Sequence, residues 1–249
     1  MLIAHPTGNY QFLKGIGPYS SGAVAEPGFE IIHNKLIQPL PLHLAFEKIT
    51  QHLGKQDREI QALCGMQLRI PEPLSFDGFY EFNQEYQQKL AGLGLFLDDI
   101  NPLARTNIAV PELELQSPML YSFSYTAPAT HSNTTFIVAG AGDLSDQTDL
   151  SPAAIVRPGE TSEEALKEKA EVVMQVMQQR LSGLGANWSM ASCVDVYTSL
   201  PIHSFLLDTI LQPIGKAAWH GVNWYFGEPP IEALAFEMDL RGVRKELWM

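Results

Sequence analysis

Hydrophobic positions along the chain follow two registers, one with a helical period and one that alternates. Over 39–54, PLPLHLAFEKITQHLG, Leu42, Phe46, Ile49 and Leu53 share one helical face, with Gly54 at its end, which predicts a helix. In 60–70, IQALCGMQLRI, every second residue from Ile60 through Ala62, Cys64, Met66 and Leu68 to Ile70 points one way, the pattern of a half-buried strand. A second helix is predicted in 75–92. Two strands follow, NPLARTNIAVPEL (101–113), bounded by Pro102 and Pro111 with Arg105 at its entrance, and MLYSFSYTAP (119–128).

The same order of elements then returns. In 161–183, TSEEALKEKAEVVMQVMQQRLSG, Thr161 and Glu164 have capping-box spacing and Leu166, Ala170, Val173, Met177 and Leu181 form a stripe ending at Gly183. A strand in MASCVDVYTSL (190–200), a short helix in HSFLLDTILQPIG (203–215), a strand in GKAAWHGVNWYFGEPP (215–230) and a last one in IEALAFEMDL (231–240) complete it. This order predicts an α+β chain of two tandem modules, each a mixed sheet packed on two helices, with the seam in the polar stretch ATHSNTTF. The modules are residues 1–128 and 129–249. In the second module His220 stands where the first has Arg105. The Gly-rich AGAGDLS (139–145) lacks the Lys and Ser/Thr of a phosphate loop and reads as a turn.

Composition narrows the function. At 249 residues and 45% hydrophobic the chain is an ordinary globular one, with no apolar run near the roughly 20 residues of a membrane span. A net charge of −12, with 16 scattered Lys and Arg, argues against nucleic-acid binding. The first residues lack the order of a signal peptide, so the expected location is cytoplasmic. Cys64 and Cys193 show no zinc-ligand spacing and the seven histidines form no metal motif, so neither metal nor cofactor is expected. Small molecules and further copies of the chain are the expected partners.

Several segments resemble one family. GIGPYSSGAV (15–24), FYEFNQEYQQKL (79–90), LARTNIAVPEL (103–113) and FEMD (236–239) are similar to the signature segments of the YjgF/RidA proteins, enamine/imine deaminases once described as endoribonucleases. Members are single modules of about half this length, so the resemblance spans the chain only as two modules end to end. It implies a chorismate-mutase-like fold, assembly as a homotrimer and ligand clefts between subunits. It also implies that Arg105 grips a substrate carboxylate, that Tyr19 and Asn83 line the cleft, and that Glu237 positions water.

The departures from that pattern matter. The first module keeps the arginine but has no carboxylate in MLYSFSYTAP. The second keeps Glu237 but carries His220, which cannot make the bidentate fork of a guanidinium. Either the two modules complement one another across an interface, or one site has become scaffold. Each candidate also has a plainer reading. Arg105 would serve equally in a surface ion pair, and Glu237 sits between Phe236 and Met238 and faces either side of its strand. His220, beside Trp219, Trp224 and Phe226, is either a packed histidine or, with Trp219, the wall of an aromatic pocket. The expected activity is hydrolytic deamination of a carboxylate-bearing enamine or imine. The alternatives are a chorismate-type hydrolase or lyase acting on a bulkier cyclic carboxylate, and a non-catalytic metabolite-binding protein.

Overall fold

The computed structural model describes all residues, 1–249. In chain order the elements are β1 (Leu2–His5), β2 (Tyr10–Leu13), β3 (Gly22–Ala25), β4 (Phe29–Pro41), α1 (Leu42–Lys55), β5 (Leu63–Ile70), α2 (Phe76–Gly92), β6 (Ala104–Ala109) and β7 (Met119–Pro128). After them come β8 (Phe136–Gly142), α3 (Glu163–Gly183), β9 (Cys193–Tyr197), β10 (Asn223–Tyr225), β11 (Glu237–Gly242) and β12 (Lys245–Trp248). They form two mixed sheets, one of seven strands in the order β1-β2-β3-β8-β11-β9-β10 and one of five in the order β12-β4-β7-β5-β6. Each sheet takes strands from both sides of residue 128. β1–β3 extend the sheet of β8–β11, with Gly22 opposite Val138, and β12 runs parallel to β4, with Trp248 opposite Lys35.

Strand alternation builds four layers. Phe136 and Val138 of β8 and Met238 and Leu240 of β11 point out to a core shared with Leu166, Val173, Met177 and Leu181 of α3. Leu63, Leu68 and Phe123 pack outward against Phe46, Ile49 and Leu53 of α1 and Tyr86 and Leu90 of α2. Between the sheets lies a third, smaller core in which Tyr10, Phe12, Ile137 and Ala139 meet Ile31, Cys64 and Ala104. The two sheets therefore face each other and carry helices on their outer sides.

Four local expectations are corrected. The strand predicted in 60–70 is not half-buried: all eight residues of β5 are buried, because helices cover one face and the opposing sheet the other. α3 is capped by Ser162, whose side chain accepts from Ala165 N, and not by Thr161. β8 runs through Gly142, so AGAGDLS is mostly strand and turns only at Asp143. Residues 215–220, expected as the strand carrying His220, form a 3-10 turn between Gly215 and Gly221, both at positive φ, and the strand is only Asn223–Tyr225. Both cysteines are free thiols. No helix is long and apolar enough to cross a membrane, and no group of three or more His, Cys, Asp or Glu side chains is arranged to hold a metal ion.

Candidate active site

β6 is an edge strand of the five-stranded sheet, and it lies beside β8 of the other sheet. The crevice where they meet is a narrow cleft open to solvent at its mouth. Its walls include Tyr19, Phe79, Arg105 and Asn107 from the first half of the chain and Gly140, Gly142, Leu234 and Glu237 from the second.

Arg105 is only 3% exposed. Its Nη2 donates to Asn83 Oδ1 on α2 at 2.6 Å, and its Nη1 has no hydrogen-bond partner. Four aromatic rings surround the guanidinium: Tyr86 at 4.5 Å, Tyr19 at 5.0 Å, Phe82 at 5.4 Å and Phe79 at 5.9 Å from ring centre to Cζ. Phe79, Phe82 and Tyr86 share one face of α2 by their spacing of three and four. Cation–π contact offsets part of the cost of burying a charge. Burial weakens the arginine's hold on its proton, and Tyr86, Tyr19 and Glu237 oppose that shift, so the group remains a cation. One donor arm is fixed and the other is unpaired, so the free arm can donate to an acceptor such as a carboxylate oxygen.

Glu237 opens β11. Its neighbours Phe236 and Met238 belong to the α3-side core, so alternation turns Glu237 inward, toward β6. Gly140 makes room for it, since a Cβ there would collide with Glu237 Oε1. The entry to β11 is pinned by Asp143, whose Oδ1 accepts from Ala235 N at 2.9 Å and Phe236 N at 3.1 Å. Asp143 Oδ2 is paired with the buried Lys169 of α3 at 2.6 Å. Arg180, also on α3, donates through Nη1 to the carbonyls of Ala139 and Gly140 at 2.8 and 3.0 Å, fixing β8 under the glutamate. Burial pushes the Glu237 carboxyl well above its usual range. The charges of Asp239 and Asp143 add to this, and Arg180 and Arg105 oppose it. A carboxyl that holds its proton more tightly than usual is suited to general acid–base work.

The residues singled out in the sequence divide cleanly. Arg105, Tyr19 and Glu237 line this one cleft, and Asn83 holds Arg105. His220 and Trp219 are elsewhere: both are exposed, and His220 lines a separate surface hollow with Lys35, Cys193 and Glu246. Sequence reasoning missed the ring cage on α2, Arg180, Gly140 and Asn107. The i, i+3, i+7 aromatic spacing in FYEFNQEY and the polar alternation Arg105–Asn107 were signals available for two of these.

Comparison with known proteins finds relatives along nearly the whole chain. Residues 2–247 match the family model described as 2-aminomuconate deaminase CnbZ. The chain is 36% identical over 246 residues to 2-amino-5-chloromuconate deaminase of Comamonas testosteroni, covering 98% of this chain and 97% of that one. Among solved structures, a chorismatase aligns over 90% of this chain and 77% of its own, at 10% identity and a TM-score of 0.44. A putative endoribonuclease of Thermotoga maritima aligns over 45% of this chain and 80% of its own, at 16% identity and a TM-score of 0.28. These two structural likenesses are too loose to carry an argument.

Proposed function

Because the chain belongs to the 2-aminomuconate deaminase CnbZ family, we propose that it hydrolyses a 2-aminomuconate-type enamine, a six-carbon unsaturated dicarboxylate with an amino group beside one carboxylate, and releases ammonia. The observation that carries this reading is that Arg105 from the first half and Glu237 from the second share one cleft. On the same reading the chain is two fused modules, 1–128 and 129–249, whose halves of a site are complementary.

The chemistry balances with one proton-carrying group. Arg105 Nη1 takes the carboxylate next to the amino carbon, which orients C2 toward Glu237. Protonated Glu237 gives its proton to the enamine carbon, leaving C2 as an iminium. The glutamate, now ionised, takes a proton from water as the water oxygen bonds to C2. It returns that proton to the nitrogen of the carbinolamine. As the C–N bond breaks and ammonia departs, the hydroxyl proton passes back to the carboxylate and a 2-oxo acid remains. Enamine plus water thus gives oxo acid plus ammonia, with Glu237 regenerated.

The test is ammonia release from freshly generated 2-aminomuconate by wild type and Arg105→Ala. Losing one side of a buried, charge-assisted pair costs about 2–5 kcal/mol, so kcat/KM should fall about 30-fold or more. Absence of turnover by wild type, or an unaffected variant, would overturn the assignment.

A further inference from the structure

Strand alternation sets Asn107 on the same face of β6 as Arg105, two residues along, and both line the cleft. Asn107 is 3% exposed, and neither its Nδ2 nor its Oδ1 has a hydrogen-bond partner. Arg105 Nη1, its neighbour on that face, is unpaired as well. Buried amides in folded proteins are normally satisfied, because leaving a buried polar group unmet forfeits its hydration with nothing in return. Two unmet donors and one unmet acceptor in a single cleft describe the complement of a ligand that offers acceptors and a donor close together.

Resting on the deaminase reading, we propose that Asn107 is the specificity residue that recognises the substrate's amino group. Its Oδ1 accepts from the substrate N–H. Its Nδ2 donates to one oxygen of the carboxylate on the same carbon, and the other oxygen takes Arg105 Nη1. A 2-amino or 2-imino acid carries donor and acceptors on adjacent atoms in this way. A plain unsaturated dicarboxylate has acceptors alone and leaves Oδ1 unmet, so Asn107 selects against it. The amide also fixes rotation about the C1–C2 bond, which the single contact from Arg105 Nη1 would leave less constrained.

Three readouts on wild type and Asn107→Leu test this: kcat/KM for ammonia release, the competitive inhibition constant of hexa-2,4-dienedioate (the same skeleton without the amino group), and the thermal midpoint. Leucine matches the shape of asparagine and removes both polar atoms. The expected result is a kcat/KM lowered about 10- to 100-fold. The inhibition constant should change by less than about threefold, since one lost hydrogen bond is offset by one relieved unmet acceptor. The midpoint should be unchanged or raised, because an unsatisfied buried amide is gone. A structural amide would instead give a lowered midpoint with inhibitor and substrate weakened in parallel, and that result overturns the proposal. So does unchanged kcat/KM in a variant of an active wild type, which leaves the deaminase reading standing. Absence of wild-type turnover removes the deaminase reading and this assignment with it.

Discussion

Glu237 and Asp239 stand two positions apart on β11, and both are buried facing between the sheets. Asp239 Oδ2 accepts from Gln67 Nε2 at 2.7 Å and from the Tyr197 hydroxyl at 3.1 Å. Burial pushes Asp239 up to about 7 and the charge of Asp195 adds to this, while Arg241, Thr106 and Gln67 oppose it. Asp195 is under the same burial, yet its pairing with Arg241 at 2.7 Å prevails and keeps it ionised. The consequence for stability has a definite sign. Unfolded Asp239 releases its proton near pH 4, whereas folded Asp239 keeps it to about pH 7. Between those values the folded state holds the extra proton, so this group's contribution is greatest below about pH 4 and falls by about 1.4 kcal/mol per pH unit as pH rises. Buried histidines such as His33, whose affinity for protons is lowered by burial and nearby cations, tilt the total the other way, so the difference between variant and wild type is the quantity to follow. Asp239→Asn retains an acceptor for Gln67 and Tyr197 and cannot ionise. Its thermal midpoint relative to wild type should climb from pH 5 to pH 7.5. A constant difference across that range would show that Asp239 titrates normally.

At the scale of elements, the helices were the most legible part of the sequence. The predicted stripes of α1 and α3 are buried at Phe46, Ile49 and Leu53 and at Leu166, Ala170, Val173, Met177 and Leu181, since a one-sided helix shows its period directly. β5 misled because its second face carries Gly65, Gln67 and Arg69, which read as solvent-facing but are buried, Gln67 against Asp239 and Arg69 over the Tyr121 ring. The segment around His220 misled for a different reason: its aromatic run looks strand-like, but Gly215 and Gly221 at positive φ close it into a turn. Arg105 and Glu237 were legible through family-like segments and Asn107 through its alternation with Arg105, whereas Arg180 needed the tertiary structure, since only its contacts to the β8 carbonyls bring it to the cleft. α3 also reaches the cleft through Lys169 and Asp143, which are 1% and 0% exposed at the side chain. Removing one partner of such a pair leaves a buried charge and costs about 3–5 kcal/mol. Lys169→Met should therefore lower the denaturant midpoint strongly. Adding Asp143→Asn, which removes the stranded charge while an amide oxygen still accepts from Ala235 and Phe236, should recover much of the loss. A double variant no more stable than the single one would show that the ion pair is not what secures the entry to β11.

At the scale of the whole molecule, the two halves of the sequence are not the two halves of the structure. Were the chain divided at residue 128, the first piece would carry β1–β3 without the β8 edge that Gly22, Ala23 and Val24 pair with. It would also carry β4 without the β12 strand along Ile32–Lys35. The second piece would expose Ile137 and Ala139, which now pack against Cys64 and Ala104 of the opposite sheet. Sheet edges and an apolar sheet face left open in this way favour association over independent folding. The cleft divides along the same line, with Arg105 and Asn107 on one piece and Glu237 on the other. Separately produced pieces 1–128 and 129–249 should each lack a cooperative thermal transition and release no ammonia, and mixing them should restore both properties together. An independent cooperative transition in either piece would mean that the modules are self-sufficient and that the exchanged strands are an embellishment. Recovery of the transition without recovery of ammonia release would separate the fold from the site, and would remove the pairing of Arg105 with Glu237 as the basis of the activity.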